Sequence, residues 1–201
     1  MMDSVKLVLA SGSPRRLQLL ASLGLECEVA PVEIDETPRA GEAPADYARR
    51  VAAEKVAAAA ATQPADRLVL AADTVVALGG EILGKPADRT DAARMLRRLS
   101  GRCHDVHTAV AASRAGTTAL RVADSEVTFR ALLEHEIDAY VATGEPLDKA
   151  GSYGIQGLAA VFVTRLCGSY SGVVGLPLQE TAELLARFGI DVLAARGGAR
   201  P

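Results

Sequence analysis

The chain has 201 residues, 49% of them apolar and 23% charged, and carries a formal net charge of -3. That length fits one domain able to bury a self-sufficient core, and that balance excludes a disordered chain and a broadly basic nucleic-acid coat. Only Cys27, Cys103 and Cys167 occur, with no CxxC pair, no apolar run nears the ~18 residues of a membrane span and the N-terminus does not read as a secretory signal, so a reducing cytoplasm is the expected setting.

Val5 to Ala10 is a short apolar run suited to a buried strand, and it leads into Ser-Gly-Ser-Pro. Ser13 suits a helix cap and Pro14 the first helical position; Leu17, Leu20 and Leu23 keep helical spacing up to Gly24. Cys27 to Ala30 reads as a returning strand, and Pro31 to Pro44, rich in acids and prolines, as a loop. Ala45 to Thr62 is predicted helical, with Tyr47, Val51 and Lys55 in one row. Arg67 to Leu78 is an apolar strand, Gly79-Gly80 a hairpin turn, and Glu81 to Gly84 its return. Thr90 to Leu99 is a helix closed by Ser100-Gly101. His104 to Ser113 and Ala119 to Leu132 read as two long strands joined near Gly116, and Glu134 to Thr143 as a helix. A glycine-rich turn at Gly151 to Gly157, a strand at Ala159 to Leu166 and a helix at Pro177 to Phe188 follow. The domain is expected over 1–193, with the tail 194–201 frayed, and the chain contains no internal repeat. The element order predicts an α/β fold: a mixed, strongly bent sheet with helices around it.

Two places break the usual rules. Arg15 and Arg16 fall in the first turn of a predicted helix, where the helix amides already make the end positive, so each cation there is unfavourable by roughly 0.3–1 kcal/mol. An anion at that end reverses the sign: free N–H groups, Ser11, Ser13 and two guanidinium forks would form a phosphate cradle. Two arginines swung into water are the plainer alternative, but a strand-to-helix corner is where α/β sheets bind ligands. The second is Asp73, which interrupts the apolar run Leu68 to Leu78. Isolated burial of its charge costs several kcal/mol, roughly, so it must be paired, protonated or facing a site. It is either a structural aspartate bonded to amides or an arginine, or a metal ligand or general base. Thr74 points to the opposite face if the strand is regular and reaches the same ligand only at a bend or strand end.

Lys55 lies at the edge of an apolar helix face, where it either snorkels to water or reaches a site. Lys85 is held between Gly84 and Pro86, which would aim its ammonium at a fixed place, whereas Glu36, in the acidic loop EIDET, would alone attract no attention. There is no P-loop, no dinucleotide fingerprint and no G-x-S-x-G. His104 and His107 would face opposite sides of a strand and could not share an ion. Seven aromatics without tryptophan make a base-stacking platform for nucleic acid a poor fit.

Taken together, SGSPRR (Ser11–Arg16), AADTVV (Ala71–Val76), LGKP (Leu83–Pro86), GEPLDKAGSYGIQG (Gly144–Gly157) and YSGVVGLP (Tyr170–Pro177) resemble the Maf family of nucleoside triphosphate pyrophosphatases, also called septum-formation inhibitor proteins. The match runs in order from about Val5 to Ile190. The resemblance implies a fold similar to inosine triphosphate pyrophosphatases, a long curved mixed sheet with two lobes and a central cleft. It implies a homodimer and a reaction that depends on Mg2+ or Mn2+. By position it implies Asp73 as the catalytic proton acceptor, Glu36 with Asp73 at the metal, and Ser11, Arg15, Arg16, Lys55 and Lys85 around the phosphates. Arg15, Thr74 and Gln156 match positions tied to substrate choice. The YGIQG form with Gln156 resembles the branch acting on dTTP and UTP; a sister branch acts on 7-methyl-GTP. Gly172 and Ser152 stand where asparagine and alanine are common in the family, and neither change removes a charged residue. The expected activity is hydrolysis of dTTP and UTP, with modified pyrimidine nucleotides, to monophosphate and pyrophosphate. The alternatives are a 7-methyl-GTP pyrophosphatase and a nucleotide-binding regulator of septum formation.

Overall fold

The computed structural model describes residues 6–197, with no account of the side chains from 195 on. Three short or medium strands run parallel at one end. β1 (Leu7–Leu9) lies between β2 (Cys27–Val29) and β3 (Leu68–Leu78). β1 leads into α1 (Pro14–Ser22), and β2 leads through the acidic loop into α2 (Pro44–Ala60). The chain thus leaves β1 toward β2 on one side and comes back to β3 on the other. That reversal opens a crevice at the carboxyl end of β1, beside the middle of β3, a place of the kind where open α/β sheets take ligands.

The rest of the sheet is antiparallel. Gly79 and Gly80 have φ of 60° and 83°, the left-handed pair that a two-residue hairpin needs, and they turn β3 into β4 (Glu81–Leu83). After α3 (Arg89–Leu99) come the long strands β5 (Cys103–Arg114) and β6 (Thr117–Phe129). α4 (Glu134–Ala142) follows, and β7 (Val163–Cys167) closes the far edge. The order is β2-β1-β3-β5-β6-β7, with β4 on β3, an α/β fold on a seven-stranded mixed sheet.

Side chains of β3 alternate between two cores. Val69, Ala71 and Val75 pack under the apolar row of α2, with Val51 and Val56. Leu70 and Ala72 face the other way, against Leu20 of α1 and Leu184 and Leu185 of α6 (Leu178–Arg187). A third cluster fills a second lobe from Leu83, Leu96, Leu99, Phe129, Ile137, Tyr140 and Phe162. Truncating fully buried Leu96 to alanine is expected to cost about 2–5 kcal/mol.

One detail of β3 positions everything that follows. β1 pairs with Leu68–Leu70 and β4 with Val76–Leu78, both on the same edge. Among the described residues no strand covers that edge between them, so Ala71 to Val75 border a gap, while β5 runs unbroken along the opposite edge from Val69 to Ala77. The sheet therefore splits into two lobes about a segment that β5 still holds straight.

Four stretches differ from what the sequence predicts. The predicted strand at Ala159 to Leu166 begins as a 3-10 helix, Leu158–Phe162, and only then becomes β7. Ala159 and Phe162 are buried three residues apart, the eclipsed spacing of a 3-10 turn, which an unbroken apolar run conceals. β6 stops at Phe129, where its pairing with β7 shifts register, short of the predicted Leu132. A five-residue helix, α5 (Tyr170–Val174), stands where no element was expected, capped by the Ser169 side chain on the Gly172 N–H. α7 (Val192–Gly197) takes in the first part of the segment expected to fray; 198–201 lie outside the described residues.

Candidate active site

A cleft of about 950 Å3 occupies the gap beside β3, in the size range of small-molecule sites. Ser11, Arg15, Arg16, Glu36, Lys55, Asp73, Thr74, Lys85 and Gln156 all line it. The first and last of these residues lie 145 positions apart in the chain, yet all share one cavity.

The floor is Asp73. It is buried at 6% exposure on the α2 side of β3. Lys55 reaches it from α2: its Nζ donates to Asp73 Oδ1 at 2.8 Å and stands 2.8 Å from Glu36 Oε1. Lys55 is therefore not a snorkelling surface lysine; its ammonium is buried between two carboxylates. Burial pushes the Asp73 carboxyl above its ordinary value, and the charges of Lys55 and then Arg16 pull it back. The same helical row explains why Glu36 is the acid chosen from its loop. Tyr47, two turns before Lys55, donates its hydroxyl to the Glu36 carbonyl at 2.9 Å and so ties the acidic loop to α2. Burial, with Asp73 and Glu36 nearby, pushes that phenol up to about 12, so it stays a donor at neutral pH. Nothing in the sequence marks Tyr47 as part of a site, although its i, i+8 relation to Lys55 puts it on the same face.

The two arginines of α1 part company. Arg16 folds inward, with Nε donating to the Gly175 carbonyl at 2.8 Å, Nη1 to Ser11 Oγ at 3.2 Å and Nη2 to Thr74 Oγ1 at 3.5 Å. Arg15 reaches across the cleft, its Nη1 3.8 Å from Asp148 Oδ2 on the second lobe. Ser13 is the N-cap but its side chain caps nothing; its own N–H donates to Ser11 Oγ at 3.2 Å. The first turn of α1 thus opens to the cleft without a side-chain cap, as an anion site requires.

Thr74 lies on the opposite face of β3 from Asp73, as strand alternation demands. It reaches the cleft not at a bend or an end but because the gap lets both faces border one space. Its hydroxyl is 3.0 Å from Thr108 Oγ1, which donates to the Gly172 carbonyl at 2.8 Å.

The second lobe supplies the other wall. Lys85, just past β4, and Gln156, in the glycine-rich turn, are both exposed and line the cleft. Glu145, Asp148, Lys149 and Tyr153 line it too, although their sequence stretch by itself gives them no role. His104 and His107 are apart: His104 is buried with Nε2 2.9 Å from the Tyr153 hydroxyl, and His107 Nδ1 lies 2.7 Å from Asp124 Oδ1.

A model of the family described as Maf-like protein matches residues 6–188. The chain is 55% identical over 197 residues to a dTTP/UTP pyrophosphatase of a Shewanella species (strain MR-7), covering 92% of this chain and 100% of the relative. It is 51% identical over 199 residues to a dTTP/UTP pyrophosphatase of Methylococcus capsulatus, covering 99% and 98%. Among solved structures, a nucleoside-triphosphatase (dITP/XTP pyrophosphatase) of Mycobacterium abscessus aligns at 18% identity and a TM-score of 0.43, over 62% of this chain and 74% of that one.

Proposed function

The chain belongs to the Maf-like protein family, and from that premise we propose that it is a nucleoside triphosphate pyrophosphatase that hydrolyses dTTP and UTP to the monophosphate and pyrophosphate. The observation that carries the reading is the cleft itself: a buried carboxylate facing a ring of four cations from three separate segments of chain. Such a ring matches a triphosphate and little else of its size. The role is housecleaning of the nucleotide pool, including modified pyrimidine nucleotides.

Lys55, Arg15, Arg16 and Lys85 neutralise the phosphate chain, with the open first turn of α1 and Ser11 at its base. Asp73 takes the proton from the attacking water. Burial raises its carboxyl, against the pull of Lys55 and Arg16, and so makes it a stronger base than an exposed aspartate. One water adds across the α–β anhydride: its oxygen bonds to phosphorus, the bridging P–O bond breaks, and pyrophosphate leaves. Attack is direct. Ser11, the hydroxyl at the cradle, is met by two donors, the Ser13 N–H and the Arg16 guanidinium, and by no base that could activate it. Gln156 and Thr74 read the base; a glutamine amide can both give to and accept from one edge of a pyrimidine.

Glu36 and Asp73 fit a divalent cation. Each carboxylate gives one oxygen to the Lys55 ammonium at 2.8 Å, which holds the two acids side by side, and among the described residues no larger His, Cys, Asp or Glu cluster forms. Two hard oxygen ligands, with phosphate oxygens and water making up the rest, suit Mg2+ or Mn2+. A bound ion there would supply charge neutralisation and an acidified water. The reading also includes a cytoplasmic homodimer. Three free thiols support the reducing setting, and the family resemblance supports the dimer.

Pyrophosphate release measured across dTTP, UTP, CTP and 7-methyl-GTP tests the proposal. Preference for dTTP and UTP is expected. Preference for 7-methyl-GTP moves the chain to the sister branch, and nucleotide binding without turnover makes it a regulator instead.

A further inference from the structure

The turn that carries Gln156 hangs from a single carboxylate. Gly154 to Gly157 is a tight turn, closed by the Gly157 N–H donating to the Gly154 carbonyl at 2.9 Å, with Ile155 buried and Gln156 exposed to the cleft. Just past its end, the Leu158 N–H donates to Glu145 Oε2 at 3.1 Å. At its start, the Gly154 N–H donates to the Tyr140 hydroxyl at 3.2 Å, and that hydroxyl donates to Glu145 Oε1 at 2.9 Å. Both ends of the turn are therefore fixed to Glu145, one directly and one through Tyr140. Lys149 braces Glu145 itself, its Nζ donating to the Glu145 backbone carbonyl at 2.6 Å.

The glycine at 157 reports the same arrangement. Its φ is -99°, a backbone that any L residue adopts, so conformation does not demand glycine there. Space does: a Cβ added at 157 would overlap the Glu145 carboxylate. The sequence keeps a bare backbone at 157 because Glu145 fills the place of its side chain.

We propose that Glu145 is a positioning residue that fixes the Gln156 turn and thereby sets which base is accepted, an inference that rests on Gln156 reading the base. Glu145 contacts no phosphate in this scheme; it acts through the turn.

The test uses Glu145→Ala, Glu145→Gln, Gln156→Ala and the pair Gly157→Ala and Gly157→Ala/Glu145→Ala, assayed for kcat, KM and substrate choice, with melting temperature alongside. Losing the direct Leu158 anchor, and the carboxylate that orients the Tyr140 hydroxyl under Gly154, is expected to raise KM for dTTP and UTP roughly tenfold, with kcat changed less than about threefold and preference over CTP and GTP eroded. Glu145→Gln keeps one acceptor and should fall between, which serves if the alanine variant does not fold. Gly157→Ala should be damaging in the parent and far milder once Glu145 is alanine. Equal damage in both backgrounds, or Glu145 variants with unchanged KM and selectivity, overturns the proposal. If Gln156→Ala also leaves selectivity intact, the fault lies with the base-reading role of Gln156; if Gln156→Ala alone erodes it, the fault lies with Glu145.

Discussion

Asp73 and Thr74 are neighbours on β3 and point to opposite faces of the sheet, yet both line one cleft. The reason is the interrupted edge: β1 ends opposite Leu70 and β4, running the other way, ends opposite Val76. An acid backed by α2 and a hydroxyl backed by Thr108 can then flank one ligand without any distortion of the strand. The unbroken pairing with β5 keeps both at fixed positions.

Replacing Asp73 with asparagine keeps the shape and removes the base. Loss of a positioned general base costs about 10²–10⁴ in rate. Pyrophosphate release by Asp73→Asn should fall by that order, while a non-hydrolysable UTP analogue still binds in calorimetry, because the cationic ring is intact. Near-normal turnover would mean that another group takes the proton.

Arg15 and Arg16 should fail in different ways. Arg16 makes three hydrogen bonds that tie α1 to Gly175, Ser11 and Thr74, and charged hydrogen bonds are each worth about 1.5–3 kcal/mol to a fold. Arg16→Ala should lower stability measurably in urea as well as activity. Arg15 has one long, exposed ion pair with Asp148, worth less than about 1 kcal/mol. Arg15→Ala should leave the urea midpoint nearly unchanged and raise KM roughly tenfold. Matching stability losses in the two variants would refute the asymmetry.

That asymmetry also shows where sequence reading stops. SGSPRR announces a helix start with unwanted positive charge, and Asp73 announces itself as a polar intruder in an apolar strand; both signals are local. What Arg16 does depends on Gly175, 159 positions away, so no window of sequence separates it from Arg15. Lys55 leaves two readings open from its helix face alone, because only the packing of α2 on β3 decides between water and Asp73. The gap beside β3 was equally hidden: apolar character predicts a long strand but not that two partners share one edge and leave its middle bare. Short irregular pieces such as α5 escape for another reason, being stabilised by Ser169 and by packing more than by periodicity.

Lys55 sits where the two carboxylates would otherwise meet. Lys55→Met leaves Glu36 and Asp73 facing each other without the ammonium between them, and a divalent cation should then stabilise the fold more than it does in the parent. Adding Mg2+ should raise the melting temperature of the variant by several degrees, corresponding to about 1–2 kcal/mol for a chain of this size, and that of the parent by less. If Mg2+ shifts neither, Glu36 and Asp73 do not form a metal pair.

His104 makes the fold sensitive to mild acid. Burial lowers its imidazole from 6.5 to about 4, with Phe129 and Tyr153 packed edge-on against it. Because the folded value lies below the unfolded one, the unfolded chain takes up the proton first as pH falls. The folded state therefore keeps its full stability above the ordinary imidazole value, loses it between about 6.5 and 4, and loses no more below that range. Between pH 7 and pH 5 the loss amounts to about 2 kcal/mol. Urea unfolding of the parent and of His104→Gln at the two pH values isolates the effect, since glutamine can still meet the Tyr153 hydroxyl but does not titrate. The pH-dependent loss should shrink by about that amount in the variant, and an identical loss in both proteins would show that some other group takes up the proton.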